Sequence, residues 1–149
     1  MQGQAFFVLK DSPIQYDGNL EKFVKSANTK FGVTTGKSYS QKFDVFWKGN
    51  QIPNVDAAES SDLTALKLLG KRFDVWVENR EVAVYLLKKI GKADEVRQLM
   101  PAIDEVPVYI ALPKSGKLAA KSADFAAALK KLKKDGVVSK LRDSYLPSR

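Results

Sequence analysis

Gly36, Lys37, Ser38 and Tyr39 place a glycine, a cation and two hydroxyls between an apolar run that begins at Phe31 and an aromatic-rich segment that reaches Lys48. A strand running through a glycine turn into a helix has this pattern. The helix start offers unpaired N–H groups and a partial positive charge, so Ser38, Tyr39 and Ser40 fall where an anion is readily held. A phosphate-wrapping P-loop is excluded by spacing, because Gly32 and Gly36 enclose three residues and the Walker motif needs four before Gly-Lys-Ser. The alternative role for Ser38 and Tyr39 is as a helix cap and a core aromatic. Two further clusters, Glu59 to Ser61 and Glu78 to Arg80, each follow an apolar strand pattern. Asn79 is either a ligand-facing amide or the cap of the next helix. With no cysteine and no histidine among 149 residues, thiolate and imidazole catalysis and the usual metal sites are excluded. Glu59, Glu78 and Lys37 are the remaining acid–base candidates, and no arrangement of them identifies an enzyme. No catalytic residue, metal or cofactor is expected.

The elements that carry these residues alternate. Ala5 to Leu9 reads as a strand, and Leu20, Phe23 and Val24 form the stripe of a short helix. Phe31 to Thr35 is a second strand, followed by a helix from Tyr39 to Lys48 with Tyr39, Phe43, Phe46 and Trp47 on one face. Pro53 to Ala57 is a third strand. Ser60 or Ser61 caps a helix carrying Leu63, Leu66 and Leu69, which Gly70 ends. Phe73 to Val77 is a fourth strand, and Val82 to Ile90 a helix ended by Gly91. Beyond Pro101 the pattern changes to a long apolar strand, Val106 to Leu112, a helix from Leu118 to Lys134 and a last helix with Val137, Leu141 and Tyr145. Alternation at this spacing predicts an α/β fold, doubly wound, with a mostly parallel sheet covered by helices on both faces. Ligands of such sheets sit at the carboxyl ends of the strands, and all three clusters fall there. Trp47 and Trp76 lie on apolar faces and belong to the core.

The length suits one domain, and 44% hydrophobic residues without a long apolar run suit a water-soluble one. Met1 to Gln4 lacks the features of a secretory signal. The formal charge of +8, from 25 basic against 17 acidic residues, permits phosphate attraction. Its excess lies in Lys130, Lys131, Lys133 and Lys134, spaced as the wet side of an amphipathic helix, so nucleic acid is not an expected partner.

Several segments, in order, resemble the family 3 type of extracellular solute-binding proteins, the polar amino-acid receptors of ABC importers. Phe6 to Ile14 is similar to the strand entering that family's second lobe, and Lys30 to Tyr39 to the lobe's ligand-binding strand and turn. Arg72 to Ala83 resembles the family's "R-x-D-A-x-x-x-D-x-x-x-A" segment. Pro107 to Lys114 and Phe125 to Gly136 resemble the return strand and C-terminal helices. The resemblance implies a periplasmic-binding-protein-like lobe with one antiparallel crossing strand, about residues 1–103, followed by the return strand and helices of about 104–149, the whole chain counting as one domain. It implies binding without chemistry of an amino acid or related small polar or carboxylate solute, at Gly36, Lys37, Ser38, Tyr39, Glu59, Ser60 and Asn79. It also implies a membrane permease as partner and a periplasmic or extracellular location.

Two departures qualify what the resemblance implies. In the family an Asp usually meets the ligand's α-amino group, and counting from Asp74 that position is Asn79, whose amide accepts a hydrogen bond but carries no charge. Strand alternation turns the neighbouring Glu78 away from the cleft. The resemblance implies a first lobe before Phe6 that is expected to be missing, so the apolar face around Phe125, Leu129 and Leu132 is expected to lack the partner it has in the family. Its expected fate is to fold back on its own lobe or to be buried against a second chain as a homodimer, by exchange of the segment. A scaffold lobe that binds nothing, and a receptor-derived periplasmic enzyme, are the alternative functions.

Overall fold

The computed structural model describes residues 2–145. Two compact units divide the chain, one reaching to Pro107 and one beginning at Val108. The first contains strands β1 (Gln2–Leu9), β2 (Phe31–Thr34), β3 (Val55–Ala58), β4 (Val75–Asn79), β5 (Val96–Gln98) and β6 (Asp104–Val106). Its helices are α1 (Leu20–Val24), α2 (Gln41–Lys48), α3 (Ser61–Leu69) and α4 (Arg80–Lys89). The sheet runs β3-β2-β4-β1-β5, with β6 also on β1. β2 pairs in parallel with both β3 and β4, whereas β1 crosses antiparallel to β4, β5 and β6. The sheet is thus mixed, with a parallel half that carries the candidate residues and one antiparallel crossing strand, as expected of such a lobe.

Alternation along the strands sorts two cores onto the two faces. Phe6, Val8, Phe31, Val33, Val75 and Val77 pack with Val24 of α1 and with Tyr39 and Phe43. Ala5, Phe7 and Trp76 pack with Ala65 and Leu68 of α3 and with Ala83, Leu86 and Leu87 of α4. Helices therefore cover both faces, which suits a sheet whose parallel strands must be buried on each side. Trp76 is fully buried, and Trp47 is half-buried against the first core. At the far end of β1, Arg97 of β5 donates from Nη2 to the carbonyls of Ser12 and Ile14 at 2.7 and 2.9 Å.

Several details depart from the sequence-based expectation. Helix α3 turns Thr64, Ala65 and Leu68 inward and leaves Leu63 and Leu66 exposed, because Thr64 finds hydroxyl and carbonyl partners that make it fit for burial. Tyr39 precedes α2 rather than opening it, since Ser40 is the cap. The expected strand Val106–Leu112 reduces to the three residues of β6, and Val108, Tyr109 and Ile110 are exposed. The short β5 has no signal in the sequence pattern, because three half-buried residues carry too little periodicity to read.

The second unit contains α5 (Ser122–Lys134), preceded by a 3₁₀ turn at Ala119–Lys121, and α6 (Val137–Tyr145). The expected helix from Leu118 is therefore α-helical only from Ser122. Gly136, with φ +71°, separates the two helices in a left-handed conformation. Phe125, Leu132 and Leu141 are exposed. Among the described residues no helix is long and apolar enough to cross a membrane.

Gly32 of β2 lies directly beneath the Phe73 ring, and a methyl group added there overlaps that ring. Gly32→Ala is expected to destabilise the first unit by about 1–3 kcal/mol, read from the midpoint of chemical unfolding.

Candidate functional site

The carboxyl ends of the three parallel strands bring their following segments together, as the topology requires. After β2 the chain turns at Gly36, whose φ of +73° suits a residue without a side chain. Lys37 follows, with its amide on the Thr34 carbonyl at 3.3 Å. The Ser38 hydroxyl is held by Asp44, and the Tyr39 N–H donates to Asp44 Oδ1 at 3.1 Å. Lys48 closes this cluster with contacts of 2.9 Å to Asp44 Oδ2 and 3.1 Å to Ser38 Oγ. An internal carboxylate thus meets two of the donors before α2. Burial alone would raise the Asp44 carboxyl, but hydrogen bonds from Ser38, Lys48 and Tyr39 together hold it below the ordinary aspartate value.

Tyr39 turns its ring into the core, 3% exposed and edge-on to Phe43. Its hydroxyl accepts the Thr34 N–H at 2.7 Å, so it completes the end of β2. Burial, first, and then the nearby Glu78 and Asp44 charges push the phenol well above its ordinary value, against the opposing Thr34 hydrogen bonds. Ser60 caps α3 by accepting the Leu63 N–H at 3.2 Å, and Asn79 caps α4 by accepting the Val82 N–H at 3.1 Å. Glu59 is exposed. Of the expected residues, Tyr39, Ser60 and Asn79 therefore build the ends of elements, while Lys37 reaches across.

Lys37 is the residue that joins two of the strand ends. Its ammonium pairs with Glu78 Oε1 and lies 3.2 Å from Ser61 Oγ and 5.7 Å from the centre of the Tyr39 ring. Glu78 is 0% exposed and accepts its successor's N–H, from Asn79, at 2.7 Å. Alternation sets Glu78 on the same side of the sheet as Trp76, and the candidate residue Lys37 reaches it there. Ser61, Thr34 and Thr64 complete the cluster through hydroxyl contacts. Sequence reasoning left Thr34 and Thr64 out, and only the polarity of Thr64 within an apolar helix stripe hints at their role. Asn79 and Gln4 face each other across the antiparallel β1–β4 pair, and Asn79 Nδ2 and Gln4 Oε1 are buried without a hydrogen-bond partner among the described residues. No group of three potential metal ligands occurs among the described residues.

Solved structures share this fold over nearly the whole chain. The AvGluR1 ligand-binding domain in complex with glutamate matches with a TM-score of 0.72, covering 99% of this chain and 58% of that one at 17% identity. An ancestral arginine-binding protein bound to glutamine matches at 0.67, over 99% and 60% of the two chains with 23% identity. An arginine transport-system periplasmic binding protein from Legionella pneumophila matches at 0.65, over 97% and 61% with 18% identity. The fold is therefore that of a lobe of the periplasmic amino-acid-binding proteins and of glutamate-receptor ligand-binding domains. The chain spans 58 to 61% of the length of these structures. No family model and no curated protein matches it in sequence.

Two outcomes follow from the geometry of this end of the sheet. Tyr39→Phe leaves the buried Thr34 N–H without its acceptor and is expected to cost about 1–3 kcal/mol of stability, measured by denaturant unfolding. Asp44 titrates lower folded than unfolded, so its stabilisation is full above the unfolded aspartate value and fades as pH falls through the folded one. Asp44→Asn is accordingly expected to lower the melting temperature at pH 7 and to flatten its decline below about pH 4, relative to the wild type.

Proposed function

We propose that this chain is the binding lobe, with C-terminal helices, of a solute-binding protein of an ABC importer. It takes amino acids or related small polar or carboxylate solutes and performs no chemistry on them. The observation that supports this reading is that Lys37 and Ser38 follow β2, and Glu59 follows β3, at the carboxyl ends of two neighbouring parallel strands, in a fold whose solved examples include amino-acid complexes. Asn79 in place of a carboxylate favours solutes held through their carboxylate end. The reading implies a permease as partner and a periplasmic or extracellular location. The exposed Phe125, Leu132 and Leu141 are read as the surface that a second copy of the chain covers.

The internal pairing of Lys37 with Glu78 and of Ser38 with Asp44 favours a second reading, a scaffold lobe without ligand. Acid–base catalysis has less support, because two of its three candidates pair with each other. Titration calorimetry with a panel of amino acids and dicarboxylates separates these readings. Saturable heat with one compound, weak because a single lobe leaves its ligand wet, is the expected result. Silence across the panel supports the scaffold instead.

A further inference from the structure

The polar groups around Lys37 have a direction. The Thr64 hydroxyl donates to the Ser60 carbonyl at 2.8 Å, and a carbonyl only accepts. Thr64 Oγ1 is then the acceptor toward Thr34 Oγ1, 3.1 Å away, so the Thr34 proton points at Thr64. Ser61 Oγ, 3.5 Å from Thr34 Oγ1, extends the row by donating to Thr34. Its lone pairs face Lys37 Nζ at 3.2 Å. At the lysine end the row therefore presents an acceptor, and beside it stands the Glu78 carboxylate.

An acceptor oxygen and a buried negative charge repel an anion and call for a donor cation. Glu78 is locked by the Asn79 N–H, and its Oε2 has no hydrogen-bond partner among the described residues. The Tyr39 ring adds its electron-rich face from the side. A primary ammonium, with several donors on one atom, serves Glu78 Oε1 and Ser61 Oγ together while lying beside the Tyr39 ring. Lys37 is three-quarters buried while it supplies that ammonium.

We propose that Glu78 and Ser61, with the face of Tyr39, form a site for a primary ammonium group, and that Lys37 is the chain's own occupant of it. The site is filled from within. For ligand choice, a consequence that rests on the receptor reading above, Lys37 is a specificity-determining residue. A solute bearing an ammonium finds the buried carboxylate already paired, whereas one bearing only carboxylates does not need it.

The test uses the full chain with Lys37→Ala and propylammonium chloride, which restores the three methylenes and ammonium removed beyond Cβ. Tetramethylammonium chloride, a cation without N–H donors, controls for ionic strength. The melting temperature of Lys37→Ala is expected to lie below wild type and to rise saturably with propylammonium but not with the control. The wild type is expected to respond alike to both salts, and Lys37→Ala combined with Glu78→Gln to lose the difference. An equal response of Lys37→Ala to both salts overturns the proposal. If Lys37→Ala does not fold unaided, refolding in propylammonium alone supports the site, and failure in both salts overturns it. Rescue together with a silent solute panel leaves this site standing and removes the receptor reading; solute binding without rescue does the reverse.

Discussion

Strand β4 lies between a parallel neighbour and an antiparallel one, with helices over both faces, so none of its residues from Val75 to Asn79 reaches water. That constraint decides the chemistry of the whole rim. A carboxylate at position 78 has no route to solvent and needs a counter-charge from elsewhere in the chain. The nearest turn, after β2, supplies it through Lys37, and the pair fixes the turn against α3 and β4. Asn79 has no charge to neutralise. Its amide oxygen instead begins α4, so the last residue of the strand is also the first support of the helix.

The same end of the sheet satisfies its own donors on the other face. Asp44 gathers Ser38, Tyr39 and Lys48 around the start of α2, and the Tyr39 phenol closes β2 from inside the core. The anion-attracting start of α2 is here met by a side chain of the protein itself. Its donors already have neighbours in place, which distinguishes this rim from an open cradle.

Much of the architecture was legible because local rules agree with the global fold. Ser60, Gly70 and Gly91 mark helix limits by capping chemistry, and the aromatic stripe of Phe43, Phe46 and Trp47 points into one core. The α3 stripe misleads because Leu63 and Leu66 look like core residues while Thr64 does not. Its hydroxyl becomes buriable only when Thr34 arrives from a distant strand. Lys37 and Glu78 were each visible as chargeable groups at strand ends. Their pairing was not, since it depends on the β2–β4 register and on a side chain that bends to the α3 face. The lobe-like fold was readable from segment order, whereas the partners of Lys37 depend on tertiary contacts.

Phe73 sits just before β4, and Gly32 lies within β2, so their contact falls where the parallel half of the sheet is assembled. The ring fills the space that a side chain on β2 would otherwise take. One volume is held in common by two positions far apart in the chain. A larger residue at 32 is compatible with this packing only beside a smaller one at 73, and a smaller residue at 73 leaves a void that glycine cannot fill. The two positions therefore act as a single unit of volume: a change at one fits this sheet only with a compensating change at the other.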